Sequence, residues 1–125
     1  MKHYIGTDII EIARIRQTIE RWGERFLNRV YTPAEQKLYD RRAHSLAACF
    51  AGKEAVMKAL GTGVKGVSWK EIEILSKPTG EPLVRLYGKA KIVAASLGLA
   101  EFAVSLSHSR EYAVASVIAQ SRLNV

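Results

Sequence analysis

Three short stretches of this 125-residue chain carry side chains able to do chemistry. The first is Asp8, in Gly6-Thr7-Asp8, an acid in a run otherwise dominated by isoleucine. Such a run packs at least one face against a core, and a carboxylate beside a packed face needs a partner. The plain alternative is an aspartate that satisfies a turn or cap. The second is Lys53-Glu54-Ala55-Val56-Met57-Lys58. Glu54 and Lys58 are four apart, so they share one helix face, either as a solvated ion pair or as the acid and cation of a site. The helix then runs into Gly61-Thr62-Gly63, where glycine lets the backbone approach a ligand, although a plain helix cap also accounts for Gly61. The third is Ser105-Leu106-Ser107-His108-Ser109. A histidine at a strand end serves structure or chemistry, and the hydroxyls around it either bind phosphate or satisfy the turn.

Taken together, these stretches suit a metal-bound diphosphate. Magnesium takes one or two carboxylates, several waters and phosphate oxygens. Asp8 and Glu54 supply carboxylates for it, and Lys58, one turn from Glu54, supplies a charge for a phosphate oxygen. Lysine plus arginine number 19 against 12 acids, a net charge of +7, which favours an acidic partner: nucleic acid, an anionic membrane, a phosphorylated small molecule or an acidic protein. The basic residues form no long run. Arg14, Arg16, Arg21, Arg25 and Arg29 are spaced along the sides of helical segments, which excludes a disordered basic tail. One cysteine, Cys49, forms no internal disulfide, so a reducing cytoplasm is expected. No stretch reaches the ~20 apolar residues of a membrane span. The first residues meet Asp8 and Glu11 too soon for a secretion leader.

The elements that must hold these groups follow from periodicity. Residues 4–12, YIGTDIIEI, read as a strand. Ile12, Ile15, Ile19 and Trp22 recur at helical spacing, and Gly23 ends that helix. Thr32-Pro33-Ala34-Glu35 is a capping box with proline at the first helical position, which starts a helix to about residue 41. Ser45 is the expected cap of a helix over 46–60, closed by Gly61. Residues 61–66 read as a glycine-rich loop. A strand over 69–75 and its mate over 83–87 flank the turn Lys77-Pro78-Thr79-Gly80-Glu81-Pro82. A helix over 88–97 ends at Gly98, and two β-rich runs, 101–107 and 112–119, close the chain. This order predicts one α+β domain over 1–125, a mainly antiparallel sheet packed with helices.

Three segments, in order, resemble the signatures of a known family: Gly6-Thr7-Asp8-Ile9-Ile10; then Phe50-Ala51-Gly52-Lys53-Glu54-Ala55-Val56-Met57-Lys58-Ala59-Leu60-Gly61-Thr62-Gly63; then Ser105-Leu106-Ser107-His108. They are similar to those of bacterial holo-acyl-carrier-protein synthases, the small class of 4'-phosphopantetheinyl transferases. The stretch 69–88, with its Ile-Glu-Ile and Gly-Glu-Pro, is similar too, so the resemblance spans nearly the whole chain.

The resemblance implies a transfer of the phosphopantetheine arm of coenzyme A to a serine of an apo-acyl carrier protein, in support of fatty acid biosynthesis. Magnesium would sit on the diphosphate, held by Asp8 and Glu54. Lys58 would contact phosphate, making Glu54 and Lys58 the catalytic pair. Phe50, Gly61, Thr62, Gly63, Ser105, Ser107 and His108 would line the coenzyme A site. The carrier serine would attack the β-phosphate, and adenosine 3',5'-bisphosphate would leave. Glu54 or a metal-bound water would take the serine proton. The nucleophile belongs to the partner, consistent with no nucleophile–base pair in this chain. The helix after the first strand would dock the acidic carrier through Arg14, Arg21 and Arg25, with Phe26 as an apolar anchor, although exposed arginines are also ordinary solvated charge. The family is usually trimeric, with each site between two subunits. Two positions depart from its pattern. Cys49 stands where many relatives have arginine, leaving Arg41 or Arg42 for the 3'-phosphate of coenzyme A. Gly52 stands where alanine is commoner, which weakens a helix by up to ~1 kcal/mol. Two rival readings remain: a non-catalytic nucleic-acid binder, disfavoured by scattered aromatics, and a catalytically dead carrier-protein adaptor, disfavoured by the pair Asp8 and Glu54.

Overall fold

Residues 43–60, AHSLAACFAGKEAVMKAL, are apolar or small on nearly every side, the pattern of a helix surrounded by protein. In the computed structural model, which describes residues 2–123, this segment is α4 (Ala43–Leu60), and Leu46, Ala47, Cys49, Ala51, Ala55 and Val56 are buried along it. Before it come β1 (His3–Glu11), α1 (Ile12–Trp22), α2 (Glu24–Val30) and α3 (Pro33–Tyr39). After it come the single turn α5 (Gly63–Gly66), a 3-10 turn at Trp69–Glu71, β2 (Ile72–Ser76), β3 (Pro82–Leu86), α6 (Gly88–Ser96), β4 (Phe102–His108) and β5 (Tyr112–Gln120). Among the described residues no helix is long and apolar enough to cross a membrane.

All strand pairs are antiparallel, but they form two sheets: a three-stranded one in the order β1-β5-β4 and the β2-β3 hairpin. The larger sheet lays its small-residue face on α4. Ala113, Ala115, Val117 and Ala119 of β5 are buried there, and their short side chains let helix and sheet approach closely. Two glycines complete that approach. A methyl group on Gly6 of β1 would lie 1.8 Å from the Ala55 carbonyl oxygen, and one on Gly52 of α4 would lie 2.5 Å from Ile74 Cδ1. Gly52 therefore gives up helix propensity so that β2 and β4 can pack on α4.

The capping box at the start of α3 forms: Glu35 N–H donates to Thr32 Oγ1 at 3.2 Å, and Thr32 N–H donates to Glu35 Oε1 at 2.8 Å. The same carboxylate does more. It pairs with Lys53 Nζ at 2.7 Å, with both side chains fully buried, and accepts from Ile74 N–H at 2.8 Å and from the Cys49 thiol at 3.3 Å. Lys53 also donates to the carbonyls of Ile72 at 2.6 Å and Trp69 at 3.1 Å. The pair thus ties α3, α4 and β2 together with its hydrogen bonds well provided, which a buried ion pair requires.

Local differences from the sequence reading have physical causes. α4 starts at Ala43, with Arg42 at the N-cap position, so Ser45 lies inside the helix and caps nothing. α2 follows α1 directly because Gly23, at φ +54, both ends one helix and begins the next. The expected strand over 69–75 begins at Ile72, since residues 69–71 form a 3-10 turn with its own Ser68–Glu71 capping box. Part of the loop over 61–66 is the helical turn α5.

Candidate active site

Gly6 lets α4 descend on β1, and two residues further along the same face of the strand stands Asp8. The α4 turn carrying Glu54 and Lys58 therefore lies over Asp8. Lys58 Nζ donates to Asp8 Oδ1 at 3.1 Å and to the Thr7 carbonyl at 2.8 Å. Asp8 is largely covered, at 12% side-chain exposure, whereas Lys58 is 54% exposed. Burial pushes the Glu54 carboxyl above its ordinary range, and the neighbouring Asp8 charge adds to the rise; Lys58 and Arg14 pull it back. Arg14 of α1 thus faces this cluster as well as solvent. Past Gly61, at φ +76, the chain turns through Thr62 and Gly63, and among the described residues nothing lies within 4 Å of a methyl group placed on either glycine. Among the described residues the Thr62 hydroxyl is buried without a hydrogen-bond partner.

A second group of expected residues collects at the other end of α4. His108, the last residue of β4, stacks on His44 in the first turn of α4, with ring centroids 4.8 Å apart. Nothing in the sequence linked these histidines, because 63 intervening residues must fold first. Arg42 folds back to donate to the carbonyls of Tyr39 at 3.0 Å and Leu38 at 3.0 Å, and Arg41 pairs with Glu24. Phe50 stacks on Trp69 at 4.7 Å and leans on Phe26 at 6.4 Å.

His108 and Asp8 do not meet within one chain. Asp8 lies beside Ala115, which lies beside Leu106, so His108 is two strands across and two residues along. That is roughly 12 Å on sheet spacings. Ser105 and Ser107 alternate to the exposed face of the sheet, away from α4, in rows with Thr7, Ser116 and Val114. The same face exposes Ile5 (65%), Ile9 (61%) and Ile118 (43%).

The residues expected to meet a partner lie on α1 and α2. Arg21 and Arg25 hold their guanidinium groups 5.1 and 5.9 Å from the ring centre of Trp22. Trp22, Thr18, Arg25, Phe26 and Arg29 line a groove of about 410 Å³. The sequence reading used Trp22 only for its helical spacing with Ile12, Ile15 and Ile19, and it is 49% exposed. Its position at the helix end, followed by Gly23, was the signal that it need not be covered.

Among the described residues no three His, Cys, Asp or Glu side chains cluster as a metal cage. Asp8 and Glu54 nevertheless fit magnesium. They offer hard oxygens, they are close enough for the Asp8 charge to act on Glu54, and two carboxylates suffice where a diphosphate supplies further oxygens.

Comparison with known proteins gives the family of the chain. The profile of the 4'-phosphopantetheinyl transferase superfamily matches residues 4–117, and the chain belongs to that superfamily. Within it, the chain is similar to holo-[acyl-carrier-protein] synthases. It is 57% identical over 117 residues to the one from Dehalococcoides mccartyi, covering 94% of this chain and 98% of that protein. The crystal structure of the Helicobacter pylori holo-[acyl-carrier-protein] synthase in complex with coenzyme A superposes with a TM-score of 0.85 at 35% identity, over 93% of this chain and 99% of that one. The Neisseria meningitidis synthase superposes with a TM-score of 0.87 at 31% identity, over 94% and 98%.

Proposed function

We propose that the Asp8–Glu54–Lys58 cluster is where this chain transfers the 4'-phosphopantetheine arm of coenzyme A to a serine of an acyl carrier protein. The observation that carries the reading is the convergence of two carboxylates and one half-exposed lysine beside an open glycine turn, in a chain of this superfamily. Asp8 and Glu54 would hold magnesium, which when bound neutralises the diphosphate and eases departure of adenosine 3',5'-bisphosphate. The chain's own groups do the rest. Lys58 and the backbone of Gly61, Thr62 and Gly63 hold phosphate oxygens, and positioning plus charge neutralisation supplies most of the rate. Glu54 is the side chain that would take the serine proton.

His108, Ser105, Ser107 and the Arg41–Arg42 corner complete the coenzyme A site from a neighbouring subunit, and Phe50 lines it one helical turn before Glu54. The separation of His108 from Asp8 within one chain supports this, as does the uncovered sheet face bearing Ile5, Ile9 and Ile118. A homotrimer would cover that face and bring the two half-sites together. Arg14, Arg21, Arg25 and Phe26 dock the acidic carrier protein, with basic side chains flanking an apolar groove as the supporting feature. One domain over 1–125, acting in the cytoplasm on carrier proteins of fatty acid synthesis, fits this reading.

The test is mass spectrometry of an apo-acyl carrier protein incubated with the protein, coenzyme A and magnesium, beside an EDTA control. A phosphopantetheine mass gain only with magnesium is expected. A gain unaffected by EDTA would remove the metal assignment, and no gain with any carrier would refute the activity.

A further inference from the structure

We propose that Lys58 is an exchange residue: its ammonium occupies the Asp8 carboxylate until a divalent cation takes that oxygen, then turns to the diphosphate of coenzyme A, so that metal and coenzyme A bind cooperatively. The inference rests on the metal assignment above and goes beyond it by assigning Lys58 two successive partners.

Lys58 Nζ is bound to two acceptors, both on β1: Asp8 Oδ1 at 3.1 Å and the Thr7 carbonyl at 2.8 Å. Among the described residues, Lys58 makes the only ion pair to Asp8 within 4.0 Å. An ammonium and a divalent cation repel one another at such range, so a cation on Asp8 weakens the hold of the lysine on the same carboxylate. Exposure decides which partner moves. Asp8 is 12% exposed and fixed in a strand paired with β5, whereas Lys58 is 54% exposed on a flexible stem. Lys58 also sits in the last turn of α4, just before Gly61. Released from Asp8, it has the open turn at Gly61-Thr62-Gly63 beside it, the place argued above for phosphate. Metal binding thereby frees the lysine for coenzyme A, and coenzyme A draws the lysine off Asp8. By linkage, each ligand then raises the affinity of the other by the same factor.

The experiment is a Mn²⁺ titration of the full chain followed by electron paramagnetic resonance of the free ion, with and without coenzyme A and with no carrier protein present. Wild type, Lys58→Met and Arg14→Gln are compared. Methionine matches lysine in helix propensity, and Arg14→Gln removes a nearby positive charge that does not touch Asp8. Lys58→Met is expected to bind Mn²⁺ alone about fivefold more tightly than wild type, the upper end for an exposed pair. The enhancement by coenzyme A should shrink by at least that factor, while Arg14→Gln should shift Mn²⁺ binding less than about twofold. Lys58→Met binding Mn²⁺ no more tightly than wild type would overturn the exchange, as would an equal effect from Arg14→Gln. Wild type that binds no Mn²⁺ even with coenzyme A would overturn the metal assignment and the exchange together.

Discussion

Replacing Gly6 with alanine adds one methyl group and should damage both stability and catalysis. Propensity argues the other way: alanine in place of glycine within a strand is favourable by about 0.5–1 kcal/mol. The structure overrides it. The new methyl would sit 1.8 Å from the Ala55 carbonyl oxygen, 2.8 Å from its carbon and 3.0 Å from Ala59 N, all backbone atoms of α4. No rotamer change relieves such a contact, so β1 and α4 must part by roughly 1.5 Å to reach van der Waals distance. Overpacking typically costs about 1–3 kcal/mol, and a clash with helix backbone belongs at the upper end. About 3 kcal/mol in a domain of this size lowers Tm by about 10–15 °C. The displaced turn carries Glu54 and Lys58, and a misplacement near 1 Å costs about 100-fold in rate. Circular dichroism melts give the first number. Initial rates of holo-carrier formation, taken well below the variant's Tm, give the second. A Gly6→Ala protein with Tm within about 2 °C of wild type, or with undiminished rate, would refute the reasoning that this glycine sets the height of α4 over Asp8.

Other expectations follow from single side chains. Because burial and Asp8 raise the Glu54 carboxyl, its contribution to stability is full below the ordinary glutamate range and is lost as pH rises through the raised value. Glu54→Gln should therefore unfold at higher temperature than wild type at neutral pH, lose that advantage in acid, and abolish transfer; equal melting at all pH values would contradict it. Lys53→Met leaves Glu35 buried and unpaired and should cost about 3–5 kcal/mol in urea unfolding, with Glu35→Gln restoring at least ~1 kcal/mol of it in the double variant. Arg25→Glu should raise the carrier-protein KM about tenfold, ~1.4 kcal/mol, with the coenzyme A KM unchanged; equal effects on both would remove the docking role. Ile9→Glu should lower the assembly mass by light scattering and abolish transfer, and an intact active trimer would refute the covered-face reading.

Legibility in the sequence divided along local and tertiary lines. The capping box Thr32–Glu35 was readable because its partners are three residues apart. That Glu35 also neutralises Lys53 was not, since the pairing exists only once α3 and α4 have met. The shared face of Glu54 and Lys58 followed from helical spacing, whereas their placement over Asp8 depends on Gly6, whose need for a missing side chain is visible only against Ala55. Ser45 looked like a cap, but α4 gains three residues by starting at Ala43. α2 escaped notice because its seven residues begin on the glycine that ends α1. His108 was readable as a strand-end histidine, and its stacking on His44 was not.

Lys53 and Glu54 are neighbours in one motif, yet one points into the fold and the other into the site. A mutational scan scored only by holo-carrier yield would find both positions intolerant and give them one label. Scored in parallel for the amount of folded protein, the scan separates them: losses at residue 53 appear in abundance, and losses at residue 54 appear in turnover per molecule. The same two-axis reading would sort every other intolerant position of the motif, and an inhibitor programme has use only for the second kind.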